Sequence, residues 1–394
     1  MTSLDVFAQN KLKPLIEGGL KRDIVDTERG PAAQAVRNGH NLVSFCCNDY
    51  LNLSHHPKVI QAAKDAIDRY GVGAGASRLI TGNHPLITVL EQRLANLKGT
   101  EGACVFSSGY MTNIGVIPTL IGPKDIIFMD DLSHACLRAG SHMSQAHVEY
   151  FRHNDMAHLQ ELIAQYRASY ENALILTDGV FSMDGDLAPL DDLSLLAHNN
   201  DCWLMSDDAH GLGVMGRGDN FGKGSRYMFE PPPHIPLQMG TLSKAIGSFG
   251  GYLCASKSVI ELIKTRARSL IYTTALPPAS VAAAIAALDI IENEPDYCRK
   301  PIENARTFAA HLNLPAPQSP IVPIIIGDSA KTMRYAKALE EGGFLITGIR
   351  PPTVAEGTAR LRFTFSADHS KDDISALVAS INKLGIKKHG IVGE

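Results

Sequence analysis

None of the seven cysteines in this chain forms a Cys-x-x-Cys pair, and no Cys and His spacing of the zinc type occurs. No metal is therefore expected, and an odd number of scattered thiols points to a reducing compartment. Long runs of one charge sign are also missing. With 37 basic against 41 acidic residues and a net charge of −4, the chain offers no electrostatic footprint for nucleic acid or an anionic membrane. The longest apolar stretch, residues 280–291, falls short of the roughly 20 residues that a spanning helix needs. Met1-Thr2-Ser3-Leu4-Asp5-Val6 lacks the basic segment and apolar run of a secretory signal, so a cytoplasmic protein is expected. There is no internal repeat and no low-complexity segment. What remains is a 394-residue chain, 45% hydrophobic and 20% charged, the ordinary composition of a globular enzyme of two or three domains.

From about residue 99 onward, apolar or β-branched runs at 103–106, 126–129, 148–151, 173–177, 202–206 and 251–255 alternate with helical patterns. This alternation predicts an α/β fold with a largely parallel sheet covered on both faces. Between the third and fourth runs, Leu159, Leu162, Ile163 and Tyr166 recur at helical spacing behind Asn154 or Asp155 as N-cap. Residues 1–45 read as an N-terminal arm, polar and irregular after a first helical stretch. An alanine-rich helix begins near Leu276-Pro277-Pro278, and runs at 321–326 and 360–366 read as strands of a smaller α+β domain. The expected division is an arm over 1–45, a large domain over 46–285 and a C-terminal domain over 286–394.

The segment Gly240-Thr241-Leu242-Ser243-Lys244-Ala245-Ile246-Gly247 sets a lysine among small residues, where a flat cofactor can approach the backbone. Thirty-seven residues earlier lies Asp207, in Ser206-Asp207-Asp208-Ala209-His210-Gly211. It follows the run Trp203-Leu204-Met205 and so sits at the carboxyl end of a strand, where open α/β sheets build their sites. An amine that can condense with an aldehyde, paired with an acid that keeps a ring nitrogen protonated, meets the two demands of pyridoxal phosphate. His210 could reach that cofactor's phenolic oxygen, and Thr241 and Ser243 can donate hydroxyls to its phosphate. Taken without Asp207, Lys244 reads equally as a solvated lysine on a glycine-rich loop.

Ser107-Ser108-Gly109-Tyr110 follows a strand and opens a helix, the setting in which free N–H groups attract phosphate, although an ordinary strand-to-helix turn uses the same residues. His134 also follows a strand, where its ring could stack on a cofactor or be a satisfied structural group. Gly71-Val72-Gly73-Ala74-Gly75-Ala76-Ser77 lacks the Gly-Lys-Ser/Thr ending of a nucleotide loop; a loop near the site and a surface turn both stay open. Arg350-Pro351-Pro352-Thr353 and Arg360-Leu361-Arg362 offer guanidinium forks for a carboxylate, or salt bridges at a domain edge. Strand alternation puts Arg360 and Arg362 on one face.

Together, Asn48-Asp49-Tyr50-Leu51, Ser107-Ser108-Gly109-Tyr110, the segment from Thr177-Asp178-Gly179 to Gly185-Asp186, Asp207-Asp208-Ala209-His210-Gly211 and the Lys244 loop resemble the α-oxoamine synthase family over nearly the whole chain. Phe151-Arg152-His153-Asn154-Asp155, Leu270 to Pro278, and Ile349-Arg350-Pro351-Pro352-Thr353-Val354 through Arg362 look most like its biotin-pathway member, which joins L-alanine to a pimeloyl thioester. The resemblance implies a fold-type I pyridoxal phosphate-dependent C-acyltransferase with a mostly parallel seven-stranded sheet. It also implies a homodimer with sites at the subunit interface. Lys244 would be the Schiff-base lysine, Asp207 the partner of the ring nitrogen and His134 the stacking histidine, with Ser182 and His210 near the phenolic oxygen. Gly109, Tyr110 and Thr241 would surround the cofactor, and Thr273 and Thr274 would reach the phosphate of the neighbouring subunit. Arg362 would hold the amino-acid carboxylate, with Arg22, Asn48, Arg350 and Thr353 as further substrate contacts. The implied donor is pimeloyl-CoA or pimeloyl-acyl-carrier protein; a sister activity with glycine or serine is the alternative. Three positions depart from the family pattern: Asn52 and Ser243 stand where Gly is usual, and Asp178 where Glu is usual.

Overall fold

A computed structural model describes residues 1–386; residues 387–394 of the expected C-terminal range lie outside the described residues. The chain opens with a helix, Ser3–Glu17, as the first helical stretch predicted, and three short strands follow: β1 (Glu28–Arg29), β2 (Gln34–Arg37) and β3 (His40–Ser44). Seven more follow: β4 (Gly102–Phe106), β5 (Ile126–Asp130), β6 (His147–Phe151), β7 (Ala173–Asp178), β8 (Trp203–Asp207), β9 (Leu237–Thr241) and β10 (Gly251–Ala255). The last four are β11 (Ile321–Gly327), β12 (Phe344–Leu345), β13 (Thr347–Ile349) and β14 (Ala359–Thr364).

Strands β4 to β10 form one seven-stranded sheet in the order β4-β10-β9-β8-β7-β5-β6. All neighbours are parallel except β10, which pairs antiparallel with both β4 and β9. Every residue of β5 and β7 is buried, as expected of strands covered by helices on both faces, and this is why they read as continuous apolar runs. β6 lies at the sheet edge and keeps its polar His147 and Glu149 partly exposed. The helix Met156–Tyr166 packs Leu159 and Ile163 inward and takes Asp155 as its N-cap, through a side-chain oxygen that accepts from His158 N at 2.9 Å.

Two smaller sheets flank the large one. In the first, β12 adds in parallel to β3, tying the N-terminal strands to the C-terminal part of the chain. In the second, β14 lies between β11 and β13. Along β14, Leu361 and Phe363 enter an apolar core with Phe45, Phe308 and Phe365, while Arg360 and Arg362 point the other way and bond to the segment 182–184. The alternation expected of these two arginines is thus observed. We propose the division into 1–45, 46–285 and 286–394 from this layout; the helix Pro278–Asn293 crosses the second boundary without a break.

Asn52 has φ of 49°, in the left-handed region that glycine adopts at no steric cost. Asn is among the few side chains that tolerate it, and here its amide donates to Asp368 at 2.7 Å, so the departure from the family's glycine keeps the backbone shape. A second tie lies beneath the Asp207 turn. Lys98, the last residue of the helix Pro85–Lys98, is fully buried and donates to Asp208 at 2.7 Å and to the Lys223 carbonyl at 2.8 Å. Asp208 also accepts from Ser225 N at 3.0 Å. Removing one charge of a buried pair strands the other, so Lys98→Met should cost about 3–5 kcal/mol, read from urea unfolding, and adding Asp208→Asn should recover part of that loss. A Lys98→Met chain as stable as the parent would show that the pair contributes no net stabilisation.

Candidate active site

The carboxyl ends of the parallel strands converge on a cavity of about 230 Å³. It is lined by Gly109, Tyr110, His134, Asp178, Asp207, His210, Thr241 and Lys244, among others. Each arrives for a local reason. Ser108 caps the helix Gly109–Leu120, accepting from Met111 N at 3.2 Å, so the N–H groups of Gly109 and Tyr110 open that helix without intrahelical acceptors. His134 caps the helix Ala135–Ser144 just beyond β5, and Asp178 and Asp207 end β7 and β8. Lys244 lies in the connection from β9 to β10, beside Thr241, whose hydroxyl meets Ser243 Oγ and the Gly250 carbonyl, both at 2.8 Å. A larger cavity of about 880 Å³ lies at the opposite ends of β8 and β9, lined by residues such as Cys202, Trp203 and Pro236, but no lysine and acid converge there.

The electrostatics of the small cavity are unusual. Lys244 Nζ lies 2.8 Å from His210 Nε2, and the other ring nitrogen of His210 lies 2.7 Å from the Tyr50 hydroxyl. Burial lowers the Lys244 pKa to about 8, against the pull of Asp207 and Asp178. Burial, reinforced by the charge of Lys244, holds His210 well below the usual histidine range, so its ring is neutral. His134 is also lowered, by burial first. Asp178 is raised well above the carboxylate range by burial and by the neighbouring Asp207. Asp207 accepts from Asn113 Nδ2 at 2.8 Å and from Ala209 N at 3.0 Å, which fixes both carboxylate oxygens.

Not every expected residue lines this cavity. Arg362 donates to the Ser182 carbonyl and to Asn48 Oδ1 at 3.3 Å, and Tyr50 links Asn48 to His210. Arg22 meets Thr353 at 3.3 Å and Arg350 meets the Lys21 carbonyl at 3.1 Å, so these three form a separate exposed group. Thr273 lies in a surface groove with Met111 and Tyr272, and Thr274 bridges to Ser77 of the glycine-rich loop. Neither threonine lines the cavity of its own chain. Asn113 and Tyr50 were given no role in the sequence, yet they hold Asp207 and His210. A buried amide in the mainly apolar helix Gly109–Leu120 is the signal that marks Asn113.

The residues present fit pyridoxal phosphate. A side chain at Gly251 would place Cβ 2.6 Å from Gly109 N, so only glycine leaves the opening of that helix clear for an anion, and the amine, acid and two histidines supply the donor set the group needs.

Comparison with known proteins agrees. The family model for aminotransferase class I and II matches residues 40–381. An 8-amino-7-oxononanoate synthase from Beijerinckia indica is 59% identical over 95% of this chain and 96% of its own. A putative 8-amino-7-oxononanoate synthase from Parvibaculum lavamentivorans is 56% identical over 98% of this chain and 99% of its own. Among solved structures, a serine palmitoyltransferase from S. paucimobilis with bound PLP-myriocin superposes with a TM-score of 0.90 at 27% identity, covering 98% of this chain and all of that one. The 8-amino-7-oxononanoate synthase of Francisella tularensis superposes with a TM-score of 0.73 at 28% identity, covering 87% and 98%. Fold and relatives define a fold-type I pyridoxal phosphate enzyme, a C-acyltransferase. The chain belongs to the aminotransferase class I and II family and, within it, to the 8-amino-7-oxononanoate synthases.

Trinitrobenzenesulfonate labelling of Lys244 in the cofactor-free chain, followed by mass spectrometry, should titrate near pH 8. Because Asp207 raises that pKa, Asp207→Asn should move the midpoint down; a midpoint at the ordinary lysine value would contradict this account of the cavity.

Proposed function

We propose that this chain condenses L-alanine with a pimeloyl thioester, carried by coenzyme A or an acyl-carrier protein, releasing carbon dioxide and the thiol on the way to biotin. The observation that carries the reading is the convergence of Lys244, Asp207, His134 and His210 in one cavity at the carboxyl edge of the sheet. The high identity to 8-amino-7-oxononanoate synthases over nearly the full chain favours alanine over glycine or serine. Exposed Val72, Leu79, Ile80, Tyr110 and Tyr272 supply apolar surface for a second copy, which supports a homodimer in which Thr273 and Thr274 serve the neighbouring site. A cytoplasmic location fits the free thiols of all seven cysteines; among the described residues no helix is long and apolar enough to cross a membrane.

When bound, pyridoxal phosphate supplies an aldehyde that condenses with amines and a ring that accepts the electron pair of a broken bond at the amino-acid α-carbon. Asp207 would hold the ring nitrogen, with its own orientation fixed by Asn113 and Ala209 N. His134 would cover the ring, His210 and Ser182 would face its phenolic oxygen, and the first turn of Gly109–Leu120 with Thr241 would take the phosphate. Arg362 and Asn48 orient the amino-acid carboxylate, with Arg22, Arg350 and Thr353 as the outer contacts. A pKa near 8 leaves roughly a tenth of Lys244 neutral at pH 7, far more than an ordinary lysine, so its amine can take the α-proton. The α-carbon then bonds to the acyl carbonyl, the thiol leaves, the carboxylate departs as carbon dioxide and a proton returns to the same carbon.

Thiol release from pimeloyl-CoA by the holoenzyme should be fast with alanine and slow with glycine or serine in parallel assays. Lys244→Ala should lower it by more than about a thousandfold with the fold intact by circular dichroism. Preference for glycine or serine would move the chain to a sister activity.

A further inference from the structure

Beside the cofactor cavity, His153 sits just past the end of β6, wedged between two carboxylates. Its Nδ1 lies 3.0 Å from Asp130 Oδ1, and its Nε2 lies 2.7 Å from Asp186 Oδ2. A neutral imidazole would turn a lone pair toward one of these anions, whereas the protonated ring donates from both nitrogens. The Phe181 ring closes the contact, perpendicular to the imidazole, with ring centroids 4.3 Å apart at 89°. Asp130, Asp131 and His153 are close enough together to suggest a cation site, but both nitrogens of His153 already face carboxylates, and the ring itself supplies the positive charge.

The two acids do different work. Asp130 shapes the turn that delivers His134: its carboxylate accepts from Leu132 N at 2.9 Å and from Asn154 N at 2.9 Å, and its carbonyl accepts from Ser133 N at 3.1 Å. Asp186 closes the segment that presents Ser182: its carbonyl accepts from Phe181 N at 3.0 Å, and its carboxylate also accepts from the Asn154 side chain at 3.0 Å. That same segment receives Arg362 at the Ser182 carbonyl and Arg360 at Asp184. One side chain therefore joins the turn before His134 to the segment that anchors Arg362.

We propose that His153, as an imidazolium shared by Asp130 and Asp186, is a positioning residue that sets the His134 turn and the Ser182 segment at their working separation. The inference rests on the reading of the neighbouring cavity as the pyridoxal phosphate site. Burial disfavours the charged ring, but hydrogen bonds to Asp130 and Asp186 outweigh it and lift the pKa to about 10. A group raised in this way stabilises the fold fully below its unfolded value, near 6.5, and loses that contribution progressively as pH rises from there to about 10, while the folded ring itself stays protonated across the neutral range.

The test compares wild type, His153→Ala and His153→Gln by fluorescence titration of the cofactor-free chains with pyridoxal phosphate, by the KM for alanine and by urea unfolding. Both variants should lose about tenfold or more in cofactor affinity and raise that KM. His153 is partly open to solvent, so added imidazole, cationic at pH 6.5, should restore His153→Ala, while the neutral ring pyrazole should not. Variants that lose stability yet bind the cofactor and alanine as wild type does would overturn the proposal and leave His153 a structural brace. If His153→Ala does not fold, Asp186→Asn answers the same question, with unchanged cofactor affinity and KM as the contrary result. A wild-type chain that takes up no pyridoxal phosphate would instead overturn the cofactor reading.

Discussion

Lys244, Asp207 and Asp178 share one poorly solvated corner at the carboxyl edge of the sheet, and the need to balance their charges shapes what surrounds them. An isolated buried charge is costly, so each is paired, hydrogen-bonded or pushed toward its neutral form. Lys244 keeps its amine against a neutral His210, Asp178 is driven toward protonation, and Asp207 is pinned by Asn113 and Ala209 N. One layer below, Asp208 needs Lys98, and Lys98 in turn fixes the loop through the Lys223 carbonyl. The site is thus a chain of compensations that runs from the cavity into the core.

Much of this was legible because the central sheet obeys local rules. Apolar runs bounded by helical patterns marked β4 to β8 and β10 within one or two residues at either end, and the placement of Asp207 at a strand terminus followed from Trp203-Leu204-Met205 alone. The cavity gathers Gly109, Tyr110, His134, Asp207, His210, Thr241 and Lys244 as the motifs implied. Alternation in Arg360-Leu361-Arg362 put both guanidiniums on one face, where both now reach the segment 182–184.

Other features depend on contacts distant in sequence. Strand β9 was not among the expected runs because Gln238 and Gly240 interrupt its apolar pattern. Gln238 is tolerated in the interior by donating to the Lys98 carbonyl at 3.3 Å, and Gly240 is required because a Cβ there would lie 2.4 Å from the Tyr252 hydroxyl. The pairing of β3 with β12 joins residues some three hundred positions apart, and no periodicity announces such a partner. Tyr50 stood in a recognised motif without a role, since only the fold brings its hydroxyl to His210.

The walls of the cofactor cavity come from residues 108–244, while Asn48, Arg22, Arg350, Thr353 and Arg362 come from the two ends of the chain. A growing polypeptide therefore carries the whole cofactor half well before strand β14 exists. Of the five proposed substrate contacts, Arg22 and Asn48 are made before the cavity walls and Arg350, Thr353 and Arg362 after them, so none lies in the stretch that carries the lysine, the acid and the residues that line the cavity with them. A scaffold divided in this way can change what it joins without having to reinvent how it reacts.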